Sequence, residues 1–246
     1  MNTLSAVGGG IPCAADDVIA VYDDRNQRTL DWLCHDEDGF LFASRIRTLV
    51  AVDVRDPLDP VRLDFLETTI GSIYNIDRVD GGLIVWAATN IAWVPFDPVD
   101  GFGAVEIVLS YPSVLRGYAR DGNTVYLSTD DGVEIYDFTA PNAPMQIGGF
   151  VPESFGQLEL GGNILTIRLG NIVDFYYRGL GMSFDYLGRL DIDPSETVRR
   201  FESGGGFVHV ATDQRIFGVD PFNHIQTLYE IPLTGLELVN QLTYRG

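Results

Sequence analysis

Residues 48–65 read TLVAVDVRDPLDPVRLDF: five apolar residues between 49 and 54 enclose Asp53, and Pro57 and Pro60 follow it. An apolar run that ends on Asp and enters a proline-stiffened connection is the outline of a strand and its turn, because proline fixes φ near −65° and Asp caps turn backbone. The same outline returns in GVEIYDFTAPNAPMQIGGF, residues 132–150, where Asp137, Pro141 and Pro144 keep the offsets of Asp53, Pro57 and Pro60. A stamp used twice is a repeat, so its Asp is expected to serve backbone geometry and not chemistry.

Around this stamp the chain resolves into six hairpins, each a glycine turn followed by two short β-branched or aromatic strands. They are GIPCAADDVIAVYD from Gly10, GFLFASRIRTLVAVD from Gly39, GLIVWAATNIAWVP from Gly82, GNTVYLSTDDGVEIYD from Gly122, GNILTIRLGNIVDFY from Gly162 and GFVHVATDQRIFGVD from Gly206. From Gly39 onward the glycines recur at intervals of 43, 40, 40 and 44 residues, the period of a four-stranded propeller blade. Outer strands such as MQIGGF (145–150) and IQTLYEI (225–231), and inner strands such as SIYNIDRV (72–79) and FGQLEL (155–160), supply the other two strands per unit. No window carries an uninterrupted helical apolar period. The expected fold is all-β: a single-domain, six-bladed β-propeller over residues 1–246. Its N-terminal blade lacks a first strand and is closed by GLELVNQLTYRG, 235–246. The short interval from Asp23 to Gly39, in which TLDWLCH (29–35) fills one role where two are needed, makes five blades the runner-up.

LVAVDVRDPLDP and, more weakly, VEIYDFTAPNAP resemble the LVIVD repeat of bacterial and archaeal surface propellers. In the remaining units the positions matching Asp53 read Pro95, Tyr176 and Asp220 without the trailing prolines. The resemblance implies a propeller architecture and no particular reaction.

Charge narrows the function classes. The 246 residues carry 35 acids against 16 basic residues, a net charge of −19, and every basic residue is Arg because there is no Lys. Such a surface repels phosphate backbones and anionic membranes. Its self-repulsion is tolerable where salt screens it, which points to a salt-adapted source; codon bias in a GC-rich genome is the alternative for the missing Lys. The first charged residue is Asp16, so the N-terminus does not read as a standard signal peptide. No stretch is long and apolar enough for a spanning helix. Cys13 and Cys34 could form one bridge, but buried free thiols in strands are the expectation.

No catalytic set stands out. His35, His209 and His224 form no metal-binding spacing and GxSxG is absent. The GGG runs at 8–10 and 204–206 lack the Lys-Ser/Thr of a phosphate loop. Acidic groups at 36–38, 97–100, 130–131 and 191–193 offer oxygen ligands that would suit Ca²⁺, although solvated loop carboxylates are the default, and no cofactor is expected. The candidate binding face is therefore the one holding the loops that vary between units: Arg45, Arg47, Asn90, Asp130, Asp131, Asn171, Asp213 and Arg215. Ser72, Ser113, Ser154 and Thr197, placed just before the inner strands, are candidates for the channel mouth or for turn capping. The expected function is a non-enzymatic module that engages a protein or glycan as part of a larger assembly, such as a virion or surface structure used in assembly or host attachment. A channel-mouth glycoside hydrolase or lyase, or a cytosolic scaffold, is the alternative.

Overall fold

The computed structural model describes residues 32–35, 38–56, 58–204 and 206–233. Cys13, the hairpin expected from Gly10, Pro57, part of the acidic run at 36–38 and the closing strand expected at 235–246 lie outside them. Two compact units divide the chain, one comprising residues 1–114 with 140–143 and the other 115–139 with 144–246.

In the first unit, sheet 1 is built in chain order from β1 (Trp32–His35), β2 (Phe40–Arg45), β3 (Thr48–Asp53) and β4 (Val61–Glu67). Sheet 2 follows with β5 (Ile73–Val79), β6 (Gly82–Ala87), β7 (Asn90–Asp97), the two-residue β8 (Gly101–Phe102) and β9 (Glu106–Ser110), the last two both pairing with β7. In the second unit, sheet 3 contains β10 (Gly117–Asp121), β11 (Thr124–Ser128), β12 (Val133–Asp137) and β13 (Met145–Phe150). Sheet 4 contains β14 (Gln157–Gly161), β15 (Ile164–Leu169), β16 (Ile172–Arg178) and β17 (Phe184–Asp191). Sheet 5 contains β18 (Val198–Gly204), β19 (Phe207–Thr212), β20 (Arg215–Asp220) and β21 (Gln226–Pro232). All pairings are antiparallel, and a 3₁₀ turn at Leu180–Met182 is the one helical segment among the described residues.

The burial of each strand follows its rank in the sheet. Second strands such as β6, GLIVWA, are buried on nearly every residue, as a strand covered on both faces must be. Fourth strands read as mostly exposed, and β21 is exposed throughout. Within the first unit, Phe42 of sheet 1 meets Phe96 of sheet 2 edge-on at 4.9 Å, in a core that includes Leu49, Leu83 and Val94. Within the second, Tyr126 and Ile135 pack with Leu165 and Ile167 between sheets 3 and 4. Val173 and Phe175 pack with Val208 and Phe217 between sheets 4 and 5. Each such side chain taken out of water contributes about 1.5–3 kcal/mol.

The repeat has a fixed internal geometry. In four of the five sheets the residue just before the second strand accepts a backbone hydrogen bond from the far end of the third strand: Val54 to Gly39, Phe96 to Gly81, Phe138 to Asn123 and Arg178 to Asn163, at 2.7–2.9 Å; in sheet 5 the donor position is Pro221, which has no N–H. One residue back along the third strand, Asp53, Pro95, Asp137 and Tyr177 are therefore equivalent. Tyr177 replaces Tyr176 as the match to Asp53, and Gly81, at φ 76°, replaces Gly82 as the turn glycine. The slip has a simple origin: Gly39 and Gly81 directly precede their strands, whereas Asn123 and Asn163 intervene after Gly122 and Gly162. A count from the glycine is one residue short in sheets 3 and 4.

The strand-end Asp acts as expected. Asp53 accepts the backbone N–H of Arg55 at 3.0 Å, Asp137 that of Thr139 at 2.8 Å and Asp220 that of Phe222 at 2.9 Å. Asp97, two residues beyond Pro95, accepts Val99 at 2.8 Å and supplies the cap that Pro95 lacks. Hydrogen bonds from Arg55 to Asp53 and from Thr139 to Asp137 hold both carboxyls below the ordinary range.

Third and fourth strands share a further irregularity. In each of these five sheets the register between them shifts once, with β9 in the fourth-strand place of sheet 2, leaving one residue unopposed: Leu63, Val108, Ile147, Leu187 and Leu228. This is a β-bulge, which adds local twist. Two first strands, β10 and β14, instead meet their neighbours through glycine. A Cβ on Gly161 would lie 1.8 Å from the Ser203 carbonyl oxygen, and one on Gly117 would lie 2.3 Å from the Gly156 carbonyl oxygen.

Candidate functional site

The loop end of four of the five sheets is a backbone lock. The turn between second and third strands offers a carbonyl to the residue that leaves the fourth strand: Thr68 donates to Arg47, Tyr111 to Thr89, Ile192 to Asn171 and Leu233 to Gln214, at 2.7–2.9 Å. Variable side chains thus stand on a repeated, fixed scaffold.

In the first unit, Arg45 closes β2 half-buried and Arg47 is exposed in the turn, with its guanidinium 3.4 Å from Glu67. An exposed pair of this kind contributes about 0–1 kcal/mol. Asn90 opens β7 and donates to the carbonyl of Ile70 at 3.4 Å. Ser72 is exposed one residue before β5, and Ser113 is half-buried before β10.

In the second unit, Asp130 and Asp131 are exposed in the β11–β12 turn; Asp130 pairs with Arg116 at 2.7 Å, and Thr129 Oγ1 accepts the Asp131 amide at 3.2 Å. The residues named from sequence around sheets 4 and 5 come together. Asn171 donates through Nδ2 to the carbonyls of Asp193 and Glu196, both at 2.8 Å, and so clamps the connection into β18. Thr197, in that connection, donates its amide to Asp213 at 2.8 Å and accepts the Asp213 amide at 3.0 Å. The Thr197 amide bond holds the Asp213 carboxyl below its ordinary range. Arg215 reaches Glu196 at 2.8 Å and Glu230 at 2.9 Å, and its guanidinium lies over the Phe217 ring at 4.8 Å. Glu196 is buried and also accepts Thr212 Oγ1 at 2.8 Å.

Ser154 serves a different network. Its hydroxyl donates to Asp174 at 2.5 Å, and Arg189 clamps the same carboxylate through Nε at 2.7 Å and Nη2 at 2.9 Å. Tyr186 adds a bond at 3.3 Å. Asp174 is fully buried. Burial alone would push its carboxyl up, but the bonds from Arg189 and Ser154 and the Arg189 charge together hold it low. Next to it, the Tyr176 hydroxyl accepts the Glu153 amide at 2.7 Å, and burial pushes this phenol up to about 12. Ser154 therefore fastens the connection between sheets 3 and 4 in the way that Glu196 fastens the one between sheets 4 and 5.

Asp174, Arg189, Arg116 and Glu196 were not picked out by sequence. Asp174 had one visible signal, an acid inside the apolar strand IVDFYY, where an unpaired charge would be costly. Glu196 stood one residue from Thr197 without any pattern of its own.

Chemically, these groups are occupied by the fold. Asp97 and Asp193 of the acidic clusters accept neighbouring backbone N–H groups, and burial lowers the pKa of His209, whose Nδ1 lies 2.6 Å from the Tyr229 hydroxyl. Among the described residues no three His, Cys, Asp or Glu side chains converge to hold a metal ion. None of their helices is long and apolar enough to cross a membrane.

No protein-family model and no curated protein matches the chain, so the LVIVD resemblance rests on its repeat residues alone. Solved structures do match. A 6-phosphogluconolactonase-like protein of Bacteroides fragilis aligns at TM-score 0.65 and 13% identity over 84% of this chain and 72% of its own. The WD40 domain of Neurospora crassa Pan2 aligns at TM-score 0.61 and 9% identity over 86% and 68%. The computationally designed Ika8 protein aligns at 0.60 and 14% identity over 83%, and this chain spans 62% of its length. At such identities the likeness carries the fold alone: the chain has an all-β, β-propeller-like architecture.

Proposed function

We propose that the chain is a six-bladed, ring-closed propeller of a salt-adapted source that binds a protein or glycan through its loop face without catalysing a reaction. In this reading residues 10–23 and 235–246 complete the sixth blade. The module belongs to a larger assembly, such as a virion or surface structure used in host attachment.

The observation that carries the binding reading is the backbone lock at the loop end. Four sheets repeat it, while the side chains it displays change from Arg47 with Glu67, to Asn90, to Asn171, to Asp213 with Thr197. Constant backbone under variable polar side chains is how a scaffold presents a recognition surface. The salt-adapted source is supported by the 35 acids and the absence of Lys.

Immobilised glycans and surface extracts of halophilic cells, probed at high salt, test the proposal. Arg47→Glu and Asp130→Arg should each weaken a captured interaction about tenfold or more. Asp100→Ala, at the opposite end of sheet 2, should leave it unchanged. Equal loss at both ends, or no specific capture at all, overturns the binding face. Scattering or electron microscopy of the particle would decide the blade number separately.

A further inference from the structure

Sheet 2 departs from its siblings at two positions, and the two departures touch. The strand ladders align Ser44, Trp86, Ser128, Arg168 and Ala211 as the fifth residue of each second strand. Ser44, Ser128 and Ala211 are small and fully buried, so the repeat asks for little volume here. Trp86 is large and half-buried, the one residue of β6 that is not buried. One residue ahead of their first-strand partners stand Tyr74, Arg116, Gly156 and Arg199 in sheets 2 to 5. Arg116 and Arg199 are exposed, so this position faces water and otherwise holds a charged side chain or none. Tyr74 is 39% exposed and is the one exposed residue of β5.

A local irregularity aims it. The β5–β6 register shifts between Ile73 and Asn75 and leaves Tyr74 unopposed, and a bulge of this kind turns a side chain out of the sheet's alternation. The Tyr74 ring then meets the Trp86 ring with centroids 5.5 Å apart and planes tilted by 50°. Neither ring belongs to the core between sheets 1 and 2. Ser72, two residues before Tyr74, is exposed as well, while Ile73 between them is buried and donates its amide to the Ile46 carbonyl at 2.6 Å. Hydroxyl and ring are thus held on the outer side of a fixed backbone. Gly71, at φ 100°, has nothing within 4 Å of where a Cβ would stand, which leaves room beside Ser72.

Aromatic side chains with a few placed polar groups are the general make-up of a small-ligand site. A pyranose ring offers a C–H face that packs on the electron-rich face of an aromatic ring, and edge hydroxyls that a serine hydroxyl meets as donor or acceptor. The net charge of −19 disfavours a sulfated or uronate sugar. A protein partner needs about 800 Å² on each side, whereas two rings and a hydroxyl match a single sugar unit. We infer that Tyr74, Trp86 and Ser72 form a subsite for a neutral sugar residue of a glycan, with the sugar's C–H face on Tyr74. The inference rests on the loop end being the binding face and gives that face its ligand class.

Calorimetric titration of the full chain at high salt with neutral tetrasaccharides of glucose, mannose, galactose or N-acetylglucosamine tests it. At least one should bind, and Tyr74→Ala should weaken that binding about tenfold or more, a loss of about 1.4 kcal/mol. Tyr74→Phe keeps the ring and should bind as the parent does. Ser72→Ala should weaken binding severalfold. The Tyr74→Ala chain should keep the parent's thermal midpoint, which separates lost recognition from lost folding. Binding untouched by Tyr74→Ala overturns the subsite, as does a preference for a uronate tetrasaccharide or for choline over every neutral sugar. If no sugar binds but a protein is captured from surface extract and lost in Arg47→Glu, the sugar inference falls and the loop-face proposal stands. If sugar binding is lost in Tyr74→Ala while Arg47→Glu and Asp130→Arg change nothing, the subsite stands and the wider face falls.

Discussion

Asp174 is the residue on which the second unit leans hardest, because its carboxylate is fully buried and balanced by a single cation, Arg189, that keeps about a third of its side chain in water. Removing one partner strands the other charge. Arg189→Met should therefore cost about 3 kcal/mol, and Asp174→Asn a similar amount, measured by urea denaturation. Because the folded state holds this carboxyl below its unfolded value, its stabilisation is complete above about pH 4 and is lost as pH falls through the lower folded value. Tyr176 behaves in the opposite sense at the alkaline end. Its phenol is raised to about 12, so the stability it contributes is intact below pH 10 and disappears as pH climbs toward 12. A spectrophotometric titration should show one tyrosine ionising only as the protein unfolds. The turn Asp residues were legible in sequence because their bonds are local, two residues along the chain. The Asp174 network was not, since Ser154, Asp174 and Arg189 meet only after a strand pairing brings distant positions together.

At the scale of the elements, the two glycines at the β14–β15 turn make opposite demands and separate two kinds of cost. Gly162 has φ 60° with open space around its missing Cβ, so Gly162→Ala should cost about 1–2 kcal/mol of backbone strain. Gly161 touches the next sheet, and a Cβ there would collide with the Ser203 backbone at 1.8 Å. Gly161→Ala should thus exceed Gly162→Ala in thermal denaturation and should loosen exchange in β18 as well as β14. Five of the six hairpins expected from sequence lie among the described residues, and all five form. Their alternation and turn glycines are short-range signals, and so they survive without tertiary information. The one-residue slip at Tyr176 shows the limit. The turns in sheets 3 and 4 place an Asn after the glycine, and nothing in the composition of the strands says which central position the glycine will take. The fourth-strand bulges were equally silent, because an unopposed Leu or Ile is spelled like an opposed one.

For the whole molecule, charge dominates. With a net charge of −19, self-repulsion falls as salt shortens the Debye length from about 10 Å at 0.1 M to 3 Å at 1 M. The thermal midpoint should accordingly rise by at least several degrees between 0.1 and 2 M KCl; an unchanged or falling midpoint would remove the case for a salt-adapted source. Blade number and closure are expectations of the repeat period, and the stretches they call on, 10–23 and 235–246, lie outside the described residues. The fourth-strand bulges carry a consequence of another kind. A sheet border with a regular row of free amide and carbonyl groups invites a strand from a neighbouring molecule, and many proteins discourage this with lysines along that border. This chain has no lysine. Instead, each of the five fourth strands among the described residues is put out of step by one residue at Leu63, Val108, Ile147, Leu187 or Leu228, so a straight visiting strand would fall out of register partway along. Resistance to edge-to-edge aggregation is thereby written into backbone shape, which does not weaken when salt screens charge repulsion.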